Sequence, residues 1–112
     1  MNEGGFERHE SITDEQAVEA MRAGDTEKVR QWADENMALL DSQYGPDADR
    51  SAPVAEWNMR YAKAMYSAGM KDDAIEHLRE TSESLMPEEA SAKLLDLLAR
   101  FRADVPPESL DA

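Results

Sequence analysis

Two histidines are the residues of this sequence best suited to acid–base chemistry. His77 follows Glu76 in a helical run and directly precedes Leu78, whereas His9 lies near the N-terminus. An imidazole beside a carboxylate could serve as a general base, but adjacent positions of a helix do not face each other. We therefore interpret His77 as a residue at the edge of an apolar face and not as a catalytic base.

Paired acids stand at the start of two helical runs. Asp72-Asp73 and Glu88-Glu89 occupy positions where carboxylates cap free N–H groups and complement the positive end of the helix dipole. This explains the pairs without acid–base catalysis. The sequence has no Cys, no Ser–His–Asp arrangement that can be assembled and no Gly-rich phosphate loop before a helix. It therefore predicts a protein that is not an enzyme and that holds no cofactor.

Two aspartates in a turn-rich stretch raise the question of a calcium site. Asp47 and Asp49 alternate as calcium ligands do in a helix–loop–helix site. However, Ala52 stands where the sharp turn of such a loop needs Gly, and Asn58 stands where it needs a bidentate Glu. The sequence therefore predicts an ordinary loop at residues 42–52, with no bound metal.

Net charge is the strongest global property of the chain. There are 25 acidic and 12 basic side chains, and the net charge is -13. Such a surface repels nucleic acid and anionic membranes and attracts basic partners. Abundant Asp and the preference for Arg over Lys equally fit the solvated surface of a salt-loving organism's cytoplasmic protein. Both interpretations, a partner-specific surface and a salt-adapted one, remain open from the sequence.

Length and composition predict one helical domain. A chain of 112 residues corresponds to one domain, and its Ala, Leu, Met, Glu, Gln and Arg content favours helix. No apolar run approaches the ~20 residues of a membrane span. The N-terminal residues are acidic and lack the apolar stretch of a signal peptide, so we expect a cytoplasmic location.

Local signals predict an all-α fold of five helices. Thr13 and Gln16 form a capping-box pattern before helix one, and Gly24 is a candidate left-handed C-cap. The predicted elements are a flexible arm (1–12), helix one (13–23), helix two (25–41), a loop (42–52), helix three (from 51 or 52 to 67), helix four (about 70–86), helix five (from 87) and a flexible tail (105–112). The single domain spans 13–104. Its predicted core is Trp32, Trp57, Tyr61, Met65, Ile75, Leu78, Leu94, Leu98 and Phe101.

The helices are expected to pair as two antiparallel hairpins. Helices three and four are separated only by Ala68-Gly69, and a turn this short forces antiparallel packing. Ala23-Gly24 takes the same place between helices one and two, 45 residues earlier. The second hairpin is thus a diverged repeat of the first, and helix five closes the exposed end of the stack.

The stretch from Val54 to Met86 resembles a tetratricopeptide repeat (TPR). That family places an aromatic early in the first helix, small residues at the helix crossings and Gly at the turn. Trp57, Ala62, Gly69 and Ala74 stand at those places, and the departures are Thr81 for a usual Ala and small register shifts. The resemblance covers about a third of the chain. The alternative is a helical hairpin outside this family that also has small residues at its crossing.

The resemblance implies a protein-binding module. In the family, the first helix of each hairpin lines a concave groove that takes peptide or protein partners. Here that groove, formed by helices one and three, would hold an extended or helical peptide of acidic and apolar residues. A second candidate occupant of the groove is the chain's own tail, with Glu108, Leu110 and Asp111. The implied groove residues are Arg22, Glu56, Met59, Arg60, Lys63 and Tyr66. The alternative is that the side chains of these groove residues only solvate a helix face.

Helix five carries more apolar residues than a single stripe needs. Leu94, Leu97, Leu98 and Phe101 are crowded on it. They either cap the helical stack within one chain or form the interface of a homodimer, in which case the protein is a structural or regulatory subunit. The sequence leaves the monomer and the homodimer open.

Overall fold

The computed structural model describes residues 11–45 and 47–110. Within these ranges the chain forms five α-helices and one short 3₁₀ helix, and no strand is present. The elements are α1 (Asp14–Ala23), α2 (Thr26–Gln43), α3 (Ser51–Ser67), α4 (Lys71–Ser82), α5 (Glu88–Arg102) and the 3₁₀ helix (Pro107–Ser109). The predicted all-α fold of two hairpins and a closing helix is confirmed. None of the helices in this part of the chain is both long and apolar enough to cross a membrane.

The start of α1 follows the predicted capping box. The Thr13 hydroxyl accepts a hydrogen bond from the Gln16 backbone N–H at 3.1 Å, and the Gln16 side chain accepts one from the Thr13 N–H at 2.9 Å. Asp25 caps α2 by accepting from the Lys28 N–H at 3.2 Å. These caps satisfy N–H groups that have no partner inside the helix, so the first hairpin is specified by local sequence.

Helices α1, α3 and α5 end in the same turn. Gly24, Gly69 and Asp104 each have a positive φ, of 74°, 87° and 60°. In each case the next residue donates its N–H to the carbonyl five residues before it, which is the Schellman arrangement. Glycine adopts this conformation without strain, and Asp is among the few other residues that tolerate it. The chain therefore reverses direction in the same way after all three helices.

Two boundaries differ from the sequence prediction. Helix α4 ends at Ser82, so Leu85 lies outside the helix and is 93% exposed. The Thr81 hydroxyl donates to the His77 carbonyl near the end of the helix. The C-cap is Glu83, two residues before Leu85. At α3 the N-cap is Arg50, one residue before Ser51 and two before Ala52, the two predicted caps, and it makes no side-chain capping bond.

The core consists of two clusters that share α3. In the first, Trp32 is fully buried, with ring centres 4.8 Å from Trp57 and 5.5 Å from Tyr61. In the second, Phe101 is fully buried and its ring stacks on Tyr66 at 4.2 Å. Of the predicted core residues, Trp32, Leu78, Leu94, Leu98 and Phe101 are buried, and Trp57, Tyr61, Met65 and Ile75 are half-buried.

The ordered domain extends beyond both predicted ends. Ile12, assigned from the sequence to a flexible arm, is buried, and its N–H donates to the Glu35 carboxylate at 3.0 Å. At the other end Leu110, assigned to a flexible tail, is 7% exposed and belongs to the second cluster. Each extension carries a large apolar side chain, and its burial offsets the loss of chain entropy. The rest of the predicted arm, 1–10, and the residues 111–112 lie outside the described residues.

Two leucines near α4 provide a matched test of this packing. Leu78 is fully buried and Leu85 is 93% exposed. We expect Leu78→Ala to lower the free energy of unfolding by about 2–5 kcal/mol, because it removes buried methyl groups and leaves a cavity. The same substitution at Leu85 should change it by less than about 0.5 kcal/mol. Urea unfolding followed by circular dichroism measures both, and equal losses would contradict the assigned packing.

Candidate functional site

A concave groove of about 1080 Å³ runs over α3. Helix α3 forms its floor, α1 and the C-terminal half of α2 form one side, and α5 with Leu110 forms the other. Its volume is slightly above the usual range of ligand sites in proteins, about 300–1,000 Å³. The charged residues that line it are Asp14, Glu15, Glu56, Arg60, Lys63, Lys93, Asp96 and Arg100.

The Arg60 side chain joins three helices at this groove. Its Nε lies 3.0 and 2.9 Å from the two carboxylate oxygens of Asp14 on α1, and its Nη1 donates to Asn36 Oδ1 on α2 at 2.9 Å. The guanidinium also lies over the Trp57 ring, with Cζ 5.4 Å from the ring centre. A planar group with several donors is suited to binding a carboxylate, an amide and an aromatic face at once.

Asp14 is the acceptor at the centre of this arrangement. Besides Arg60, the buried Trp32 donates its indole N–H to Asp14 Oδ1 at 3.2 Å. The hydrogen bond from Arg60 lowers the pKa of Asp14 below its ordinary value of 3.8, and partial burial opposes this shift. Because the carboxylate is favoured in the folded state, its contribution to stability is complete above the unfolded pKa of about 3.9 and is lost as pH falls through the lower folded pKa.

The α5 side of the groove carries its own ion pairs. Lys93 Nζ lies 3.0 Å from Glu56 on α3, and Arg100 Nε lies 3.0 Å from Asp96 one turn earlier on α5. The hydrogen bond to Glu56 raises the pKa of Lys93, so this amine stays charged. The lining of the groove therefore holds four acids and four bases, in a chain with 25 acids and 12 bases. This face is charge-balanced on a strongly acidic protein.

Apolar side chains alternate with these charges. Leu39 lines the groove and is 56% exposed, Val18 and Trp57 line it half-buried, and Leu40 and Leu97 line it buried. Exposed leucines and tryptophan faces lose their contact with water when a partner covers them, which favours binding. The groove thus combines accessible apolar area with charged side chains of both signs.

The structure brings four of the six predicted groove residues together. Glu56, Met59, Arg60 and Lys63 all line the groove, spaced along α3. Met59 is 5% exposed, so it contributes packing more than free surface. Arg60 is held by Asp14 and Asn36, so it organises the groove in addition to lining it.

The two other predicted residues lie elsewhere. Arg22 donates to Glu19 at 2.7 Å and to the Ser67 carbonyl at 2.8 Å, so it joins the ends of α1 and α3 outside the groove. Tyr66 is buried against Phe101, and its hydroxyl donates to the Val105 carbonyl at 2.6 Å. At this end of α3 the predicted groove face is displaced by one residue: Ser67 lines the groove, and Tyr66 does not.

The Leu-rich face of α5 is covered within the chain. Leu94, Leu98 and Phe101 are buried in the second core cluster, which corresponds to the capping role and not to a free interface. Leu97 is also 5% exposed, and it lies at the groove. The outward leucine of this helix is Leu95, 56% exposed and outside the groove lining.

Sequence reasoning missed the contribution of α5 to the groove. Asp96 and Leu97 lie three and four residues after Lys93, and Arg100 lies four and three residues after them, so the four share one side of the helix. This pattern was present in the sequence. The place of α5 beside α3 was not, because it depends on packing between residues distant in the chain.

His77 has a structural environment away from the groove. Its ring nitrogen lies 3.0 Å from Asn58 Oδ1, and its ring stacks on Tyr61 at 5.2 Å. Burial lowers the pKa of His77, with Glu80 opposing the shift, so the ring is neutral at pH 7. Across residues 11–45 and 47–110, no group of three or more His, Cys, Asp or Glu is placed to hold a metal ion. Asp47 and Asp49 are within these ranges, while His9 is outside them.

Comparison of the chain with protein-family models, curated proteins and solved structures finds no match in any of the three. Its function is therefore inferred from the contacts and charges of the groove itself.

Two neighbouring acids at the start of α1 test the role of Asp14. We expect Asp14→Asn to lower the free energy of unfolding at pH 7 by about 1 kcal/mol more than Glu15→Gln, because only Asp14 accepts from Arg60 and Trp32. The gap between the wild type and Asp14→Asn should narrow as pH falls below about 3.9. Chemical unfolding across this pH range measures it. Equal losses for the two variants at pH 7 would show that the contacts of Asp14 contribute nothing.

Proposed function

We propose that this protein is a non-enzymatic TPR-like interaction module that binds a peptide segment of a partner protein in the groove over α3. The observation that carries the proposal is the charge-balanced groove, with Leu39 and Trp57 accessible, on a chain with net charge -13. Accessible apolar area gives a partner binding free energy, and paired charges of both signs give it orientation.

The placement of the helices supports the TPR-like interpretation. Helices α1, α3 and α5 line the groove together with the C-terminal half of α2, and each of the first three ends in a Schellman turn. The turns at Gly69 and Asp104 are 35 residues apart, close to the period of about 34 in the family. Those at Gly24 and Gly69 are 45 apart, because the longer α2 and the loop after it precede α3. In this family the first helix of each hairpin lines the groove; α1 and α3 follow that arrangement here, and α2 departs from it because Asn36, Leu39 and Leu40 also line the groove.

The expected partner is a short segment with acidic and apolar side chains. The side chains of Glu56, Lys93 and Asp96 are more than half exposed, and that of Arg100 is 37% exposed. Exposed ion pairs of this kind contribute only about 0.2–1 kcal/mol, so the carboxylates of a peptide can replace their acidic members at small cost. Leucine or aromatic side chains of the same peptide would cover Leu39 and Trp57.

A second candidate is a homodimer through α5, and it depends on Leu95. This residue is 56% exposed on the outward side of that helix, whereas the residues predicted from the sequence are buried: Leu94, Leu97, Leu98 and Phe101. A structural or regulatory homodimer would have to cover Leu95. Concentration-dependent sedimentation of the wild type and of Leu95→Asp separates this candidate from a monomeric peptide-binding module.

Leu39 and Leu95 offer a matched pair for testing the groove, since both are 56% exposed and only Leu39 lines it. Peptides would be selected on the wild type from a displayed random library, and the affinity of a synthesised peptide measured by calorimetry. We expect Leu39→Asp to weaken binding about tenfold or more, because a covered leucine contributes about 1.5–3 kcal/mol. Leu95→Asp should bind within about twofold of the wild type.

Three results would contradict the proposed function. They are equal weakening by Leu39→Asp and Leu95→Asp, weakening by Leu95→Asp alone, and a selection that enriches no peptide. Circular dichroism of both variants controls for folding, since each introduces the same charge at a site of equal exposure.

A further inference from the structure

The segment that follows α5 folds back onto α3, and its residue Leu110 lines the groove. Asp104 reverses the chain in its left-handed conformation, and Pro106 and Pro107 then lead into the 3₁₀ helix (Pro107–Ser109), which packs on α3. Because proline has no backbone N–H to donate, the two consecutive prolines disfavour a longer α-helix at this point. The chain instead forms a short turn that ends at Leu110.

Three contacts hold this segment at its ends. Lys71 Nζ on α4 lies 2.8 Å from Asp104, and the Tyr66 hydroxyl donates to the Val105 carbonyl at 2.6 Å. At the other end Arg100 Nη1 donates to the Leu110 carbonyl at 3.1 Å. Two of these three contacts bind backbone carbonyls, and the one made by Arg100 lies at the groove, where any peptide segment of the same shape would present a carbonyl to it.

Leu110 is the apolar anchor of the segment. It is 7% exposed, it lines the groove, and it belongs to the same buried cluster as Met59 and Leu97. Leu110 is thus the residue of this segment that lines the groove, and the segment also carries Asp104 and Glu108. This acidic and apolar composition is the one that the proposed function assigns to the partner.

We propose that residues 104–110 act as a built-in ligand of the groove. The segment occupies the end between α3 and α5, and the external partner competes for the same place with a leucine next to acidic residues. This inference rests on the proposed function and adds the anchor residue and the competition. A tethered segment is present at an effective concentration of about millimolar, so it lowers the apparent affinity for an external peptide that needs the same place.

The experiment uses the full chain with Leu110→Asp, which places a charge in the apolar site and should release the segment. The control is Leu85→Asp, at a position that is 93% exposed and outside the groove. The probe is a fluorescently labelled peptide of the chain's own residues 104–110, DVPPESL, blocked at both ends. The control peptide, DVPPESD, has Asp in place of the leucine.

We expect Leu110→Asp to bind the probe about tenfold more tightly than the wild type and Leu85→Asp, measured by fluorescence anisotropy. The control peptide should bind none of them. Leu110→Ala, which adds no charge, should bind the probe more tightly than the wild type but less tightly than Leu110→Asp. This variant still tests the proposal if Leu110→Asp does not fold.

The inference is overturned if the probe binds no variant, or binds the wild type and folded Leu110 variants equally. It is also overturned if the control peptide binds as well as the probe. Failure here is distinguishable from failure of the proposed function, because peptides selected on the wild type and weakened by Leu39→Asp would still establish the groove as a binding site.

Discussion

The Arg60 side chain on α3 is the contact on which the shape of this protein depends most. It binds Asp14 on α1 and Asn36 on α2, and it covers the edge of the aromatic cluster formed by Trp32 and Trp57. The aromatic rings supply the burial, and the arginine fixes the relative positions of the helices that carry them. Because the same three helices form one side and the floor of the groove, this contact couples the stability of the first hairpin to the geometry of the groove.

The α5 side of the groove is positioned by a different interaction, the burial of apolar side chains. Helix α5 is held against α3 and α4 by a continuous apolar face, with Phe101 stacked on Tyr66. Its charged side then faces the groove with Lys93 and Arg100 paired to acids. Apolar burial thus sets the position of α5, and the weaker ion pairs decide which charges a partner meets. This division suits a binding surface, because the groove keeps its shape while the ion pairs of its lining are replaced by ion pairs with a partner.

Local features of this structure were predictable, and distant contacts were not. The capping box at Thr13, the glycine turns at Gly24 and Gly69 and the five helices follow from short-range patterns in the sequence. The pairing of Arg60 with Asp14 joins residues 46 positions apart, and no local pattern specifies it. Tyr66 is buried against Phe101 and does not line the groove for a related reason: neighbouring positions of a helix point about 100° apart, and only packing decides which of them faces α5.

The end of the chain shows the same limit. The two prolines after Asp104 indicate a stop to regular helix, but they do not reveal that Leu110 returns to a buried site. A single apolar residue in a polar segment is a weak signal, because its burial depends on whether a site of the right shape exists nearby. That site is formed by α3 and α5 together, which is why it emerges only with the tertiary structure.

The central claim, that Arg60 and Asp14 act as one unit joining α1 to α3, is tested most directly by a double-mutant cycle. Unfolding free energies of the wild type, Asp14→Asn, Arg60→Gln and the double variant would be measured at pH 7. The structure predicts a coupling energy of about 1 kcal/mol, because the two side chains share direct charged hydrogen bonds. A coupling energy below about 0.3 kcal/mol would contradict the claim, because it would mean that each residue contributes independently of the other.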